Sequence, residues 1–121
     1  YPAMLKRRQQ IADMYQRAFE KIENMALPIR VEGQIWQEFI IRVPDQKAFA
    51  EFMKKKGVEL LIRDVTPNHL LKGLGLEKYS LPLTERMARE NVRLPIFPEM
   101  TDSEVNYVIK CVKEYYGIIA R

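Results

Sequence analysis

At 121 residues, 47% of them hydrophobic, the chain is long enough to bury one core and short enough to form a single domain over residues 1–121. A formal net charge of +4 is compatible with an anionic ligand such as a phosphate, yet it is too small to argue for nucleic acid. The lone Cys111 excludes an intrachain disulfide, and no apolar run approaches the roughly 20 residues that span a bilayer, so the sequence reads as neither membrane-bound nor exported, with the cytoplasm as its default compartment.

The chain starts Tyr1-Pro2-Ala3, without an initiator Met, and is expected to be cut from a longer one or processed. Met4, Ile11, Tyr15, Ala18, Ile22 and Met25 recur at three- and four-residue steps, which predicts one long amphipathic helix ended by Pro28, with a stripe that must pack on something. Ile29 and Val31 alternate with Arg30 and Glu32 as a short strand with one wet face would, and Gly33 then turns the chain. Residues 34–43 carry the strongest strand signal, because Ile35, Trp36, Phe39, Ile40, Ile41 and Val43 are β-branched or aromatic. Pro44-Asp45 switches to a helix with Asp45 as N-cap and Ala48, Phe49, Phe52 and Met53 as its apolar face. Lys54, Lys55 and Lys56 complement its C-terminal dipole before Gly57, and read as a solvated helix end rather than a phosphate patch.

Residues 57–69 hold the most informative stretch. Val58 to Ile62 have the bulk of a buried strand, and Arg63-Asp64 falls where the chain leaves the sheet, the position at which loops carry function. Thr66-Pro67-Asn68-His69 adds a turn or helix start. Two readings stand side by side: a binding edge, or a strand end followed by an N-cap.

Gly73 and Gly75 leave residues 70–79 at most a short helix and a loop, and they do not form a nucleotide fingerprint. Residues 82–92 read as a helix with Met87, Ala88 and Val92 inward and Arg86, Arg89 and Arg93 on a solvated face. Two prolines make residues 94–98 extended but not a central strand. Thr101-Asp102-Ser103-Glu104 is a capping box opening a last helix whose Val105, Val108, Ile109, Val112 and Tyr116 face inward until Gly117. The order is α-β-β-α-β-α-α, an α+β fold with a small, mostly antiparallel sheet of about three strands covered by helices.

No catalytic constellation emerges. One His and one Cys, far apart in sequence, exclude a zinc site of the usual spacing, and there is neither a P-loop nor a nucleophile elbow. Trp36 and Tyr79 have faces able to stack on a base or a sugar, although a strand Trp also suits a core.

The ordered set of Arg7-Arg8, Trp36-Gln-Glu-Phe-Ile-Ile-Arg42-Val, Asp45, Gly57-Val58, Pro67-x-His69, Thr84-Glu-Arg-Met-Ala88, Leu94-Pro-Ile-Phe-Pro98 and Met100-Thr101 resembles the C-terminal small domain of the DegT/DnrJ/StrS aminotransferases over nearly the whole chain. The resemblance implies pyridoxal-phosphate (PLP) enzymes, usually dimers, that place an amino group on a nucleotide-linked keto sugar, as in polysaccharide biosynthesis. It implies that this domain closes over an active site on a large PLP domain or subunit and supplies substrate contacts and dimer surface.

The sequence departs from the family in two places. Ser80 and Ser103, the only serines, are not followed by a Schiff-base lysine motif, so no cofactor is expected in this chain and no activity from it alone. Where the family has Thr, His and Tyr after its Gly-Ile, the chain has Leu60, Arg63 and Asp64. Arg63 is suited to hold a diphosphate by a bidentate hydrogen bond. The expected substrate contacts are therefore Arg63, Asp64, His69 and Trp36, with no catalytic or metal-binding residue. The expected partners are a large domain or subunit, a second copy and a nucleotide sugar, without nucleic acid or membrane. The alternative is a stand-alone binding or regulatory module that keeps the small-domain fold without catalysis.

Overall fold

The computed structural model describes residues 2–62, 66–76 and 78–117. The elements over these residues are α1 (Pro2–Phe19), β1 (Phe39–Arg42), α2 (Gln46–Lys55), a 3-10 turn (Asn68–Leu70), α3 (Pro82–Glu90), β2 (Asn91–Leu94) and α4 (Asp102–Tyr115). Four helices and a two-stranded antiparallel sheet make an α+β fold.

The best-formed helices are those with local start and stop chemistry. The Asp45 carboxylate accepts from the Ala48 N–H, and the end of α2 is a Schellman motif: Gly57, at φ 84°, donates to the Lys54 carbonyl while Val58 donates to that of Met53. Thr101 and Glu104 form the reciprocal capping box of α4, and Gly117 closes that helix with its N–H on Glu114.

The sheet is shorter than expected. β1 and β2 pair in the register Phe39↔Leu94, Ile40↔Arg93, Ile41↔Val92 and Arg42↔Asn91. The strand expected over 34–43 extends only through Phe39–Arg42, because Trp36 sits at φ 50° and breaks the extended run. The strand expected over 58–62 is reduced to a single antiparallel bridge, Leu61↔Arg93, since Val58 is already committed to the end of α2. Residues 29–31 form no strand: Ile29 and Val31 are exposed, and Arg30 pairs with Asp13 at 2.7 Å. The observed order is thus α-β-α-α-β-α, with a 3-10 turn before α3, in place of α-β-β-α-β-α-α.

Two helix ends also differ from expectation. α1 stops at Phe19 rather than near Pro28, which lets the chain turn and bring Ala26 beside Arg42 in a second isolated bridge; Ile22 and Met25 are buried from this turn rather than from a helix. α3 stops at Glu90 and passes directly into β2, so Val92 is a strand residue and Met87 is exposed. The buried Gln46 fastens this junction, its amide donating to the carbonyls of Ala88 and Asn91. Both carbonyls would otherwise lack a partner at a helix end.

One face of the sheet, with Phe39, Ile41, Val92 and Leu94, is buried in the core it shares with residues of α1, α2 and α4. Tyr15 anchors that core, its ring 5.8 Å from Phe19 and 5.1 Å from Phe39, with its hydroxyl donating to the Pro95 carbonyl at 2.6 Å. Ile11, Phe49, Met53, Val105, Val108, Cys111 and Val112 fill the rest. The two arginines near the chain start tie α1 to distant loops: Arg7 donates to the Met100 carbonyl and pairs with Asp102, while Nη1 of Arg8 serves the carbonyls of Trp36, Gln37 and Ile96. The opposite sheet face, with Ile40, Arg42, Asn91 and Arg93, is only half-buried. No helix among the described residues is long and apolar enough to cross a membrane.

Candidate functional site

The half-buried sheet face leads to a cleft of about 480 Å³. One wall is Thr66, Pro67 and Asn68, where the chain enters the 3-10 turn; the other is Thr84, Met87 and Ala88 on α3; the floor is Asn91 and Arg93 on β2. Strand alternation explains the floor. Val92 and Leu94 point into the core, so Asn91 and Arg93 must point away from it.

The cleft offers two hydroxyls, two carboxamides and a guanidinium above the apolar surfaces of Pro67, Met87 and Ala88. Such a set recognises a polyhydroxylated ligand through directional hydrogen bonds and an anionic group through the guanidinium. Arg93 is held in place by Glu38, Nε to Oε1 at 3.0 Å. The Asn91 Oδ1 is buried and accepts no hydrogen bond from the described residues. A buried amide oxygen without a donor is costly, and marks a position a ligand hydroxyl or a water would satisfy.

Pro67 lies in the cleft wall, but His69 is turned behind it, only 5% exposed, with Nε2 3.8 Å from Oε2 of Glu85. Trp36 is 2% exposed, its ring 5.4 Å from Phe39 in the core, and it lines a second cleft with Gln34, Gln37, Glu38 and Ile40. Arg93 borders both clefts, Trp36 lines the second of them and His69 lines neither. Arg63 and Asp64 lie outside the described residues.

Sequence reasoning missed Thr84, Asn91 and Arg93 as cleft residues and set Arg93 in a solvated row with Arg86 and Arg89. Arg86, on α3, is indeed exposed beside Glu90, whereas the Arg93 side chain is only 14% exposed. The alternation Asn91-Val92-Arg93-Leu94 before Pro95 was the signal available, a period of two overlooked at the end of a helical pattern. No cluster of three or more metal-ligating side chains occurs among the described residues.

Comparison with known proteins adds an independent line. The model of the DegT/DnrJ/EryC1/StrS aminotransferase family matches residues 1–113. The chain is 31% identical over 115 residues to a dTDP-3-amino-3,6-dideoxy-alpha-D-galactopyranose transaminase of Aneurinibacillus thermoaerophilus, covering 91% of this chain and 31% of that protein. It is 28% identical over 118 residues to a pleiotropic regulatory protein of Geobacillus stearothermophilus, covering 92% of this chain and 32% of that one. The crystal structure of the aminotransferase TlmJ from Streptoalloteichus hindustanus matches with a TM-score of 0.87 and 26% identity, over 96% of this chain and 32% of that chain. The chain thus spans about a third of the length of these relatives.

Proposed function

Because the chain belongs to the DegT/DnrJ/EryC1/StrS aminotransferase family, we propose that it serves as the C-terminal small domain of a sugar aminotransferase, transferring an amino group to a nucleotide-linked keto sugar only together with a large PLP-binding domain or subunit. The observation that carries this reading is the cleft of hydroxyls, carboxamides and one guanidinium between Thr66–Asn68 and α3, immediately after the Arg63-Asp64 pair. Its chemistry matches the sugar and the diphosphate of such a substrate. The surface nearby supports a partner: Leu70, Leu71, Leu74, Leu81 and Leu83 are all exposed within one short segment, the kind of apolar concentration that another domain or a second copy covers.

The family implies PLP, and the residues here do not fit its covalent attachment. Among the described residues no lysine lines the cleft, and Ser80 and Ser103 head no lysine motif. PLP chemistry therefore belongs to the large domain in this proposal. What this chain contributes is binding and orientation: Thr66, Asn68, Thr84 and Asn91 to sugar hydroxyls, Arg63 and Arg93 to the diphosphate, with Asp64 steadying Arg63.

The test is nucleotide-sugar affinity of the complete assembly, with a melting curve taken alongside. Losing the charge-assisted contact in Arg63→Ala is expected to weaken binding roughly tenfold to a hundredfold with little change in melting point. Unchanged affinity with a lowered melting point would make Arg63 a structural residue. A second reading, a binding or regulatory module without catalysis, is favoured by the Geobacillus relative that carries a regulatory name. Transamination of a nucleotide-linked keto sugar by the complete assembly, lost when this chain is removed, would decide for the enzyme.

A further inference from the structure

We propose that His69 and Glu85 form a proton-operated brace that sets the width of the cleft. His69 directly follows Asn68 in one wall, and Glu85 directly follows Thr84 in the other, so their contact joins the two walls one residue behind the lining. The ring is 5% exposed, and its Nε2 is buried without a hydrogen-bond partner among the described residues. At 3.8 Å from Oε2 of Glu85 the pair stands beyond hydrogen-bond distance but within reach of a charge.

A neutral imidazole gains little across that gap. A protonated one attracts the carboxylate, and a charge-assisted N–H···O bond closes at about 2.7–2.9 Å, so proton uptake draws the 3-10 turn toward α3 by up to about 1 Å. Loss of the proton releases it. Among the described residues, the charged groups near the ring are engaged elsewhere or exposed. Glu85 is the carboxylate within 4 Å of it among the described residues, Arg93 on β2 turns its Nε to Glu38, Asn91 is neutral, and Arg86 on α3 pairs with Glu90. Lys72 and Lys78 on the following loop are exposed. His69 is also the only histidine of the chain, and histidine is the side chain whose charge ordinarily changes within about pH 5–8. His69 is in this sense a positioning residue: it touches no ligand and acts through Asn68 and Thr84.

The functional meaning of the brace rests on the reading of the cleft as a sugar site, but its test does not. Amide proton–nitrogen spectra of the protein are recorded between about pH 5 and pH 8, with the His69 ring signals assigned by their loss in His69→Gln. The amides of Asn68 and Thr84 are expected to shift along one curve with the His69 ring. In Glu85→Gln the amide of Thr84 is expected to stop following the ring. Stationary amides at both walls, or an identical titration in Glu85→Gln, would overturn the brace. A separate addition of nucleotide sugar at fixed pH tests the ligand: absent binding there would remove the sugar reading and leave the brace intact.

Discussion

Arg8→Ala should be the most informative substitution outside the cleft. Nη1 of Arg8 lies 3.2 Å from the Trp36 carbonyl, 3.1 Å from that of Gln37 and 3.2 Å from that of Ile96. One Nη1 has two hydrogens, so three acceptors share two bonds. Hydrogen bonds to a charged donor contribute about 1.5–3 kcal/mol each, and the low end applies because the Gln37 carbonyl regains water when the guanidinium is lost. The expected loss is therefore about 2–3 kcal/mol, a large part of the roughly 5–15 kcal/mol that holds a domain together. The same bonds hold Trp36 at φ 50°, a left-handed conformation that costs a side-chain-bearing residue about 1–2 kcal/mol. Without them the turn is expected to relax toward extended backbone. Trp36 is the only tryptophan, so its emission reports that turn directly. Urea unfolding followed by emission and by far-ultraviolet circular dichroism would measure both effects, with a red-shifted folded baseline as the sign of relaxation. Arg8→Lys, whose ammonium nitrogen falls one bond short of the Nη1 position, should recover less than half of the loss. A change under about 0.5 kcal/mol, the usual scatter of surface substitutions, together with unaltered emission would refute the clamp.

Further outcomes follow from the caps and the core. Burial raises the Tyr15 hydroxyl above the ordinary tyrosine range, so the stability that comes from keeping it protonated is complete below about pH 10 and declines as pH rises toward the folded-state value. Tyr15→Phe should flatten that alkaline decline while lowering neutral stability by about 1 kcal/mol through the lost bond to Pro95, both readable from melting curves across pH; an alkaline decline as steep as before would assign it to other groups. Thr101→Ala should cost about 1 kcal/mol in urea unfolding, and Thr101→Ser should recover most of it, because the hydroxyl rather than the methyl accepts from Glu104. Gly57→Ala should cost about 1–2 kcal/mol although nothing lies within 4 Å of the added Cβ, since the penalty at φ 84° is conformational; an unchanged melting point would place the turn elsewhere in solution.

The elements legible in the sequence are those whose start and stop signals lie within a few residues. α2 needs only Asp45 and Gly57, and α4 only Thr101 to Glu104 and Gly117, so both appear where they were expected. The family was legible as an ordered series of short motifs, none specific alone. The sheet was not, because its extent depends on partners that are distant in sequence. Trp36 looks like a strand residue by type, yet the carbonyls that Arg8 gathers from residues 36, 37 and 96 go with a left-handed turn there. Val92 sits at a helical spacing from Ala88, and only the ladder to Ile41 makes it a strand residue. The cleft suffered for the same reason: once β2 is read as helix, Asn91 and Arg93 drop out of it, and the facing of His69 on Glu85 has no trace in the order of residues.

The bond from Arg7 to the Met100 carbonyl, 93 residues away in sequence, also bears on how the chain is made. α1 leaves the ribosome well before α4, yet Ile11, Tyr15 and Phe19 share one core with Val105, Val108 and Val112. During synthesis the face of α1 that packs on α4 therefore waits for α4 to emerge, at about 5–20 residues per second. Contacts this distant in sequence close slowly, and for those seconds the part of α1 that α4 covers in the folded chain is a surface for chaperones to hold or for a neighbouring chain to capture.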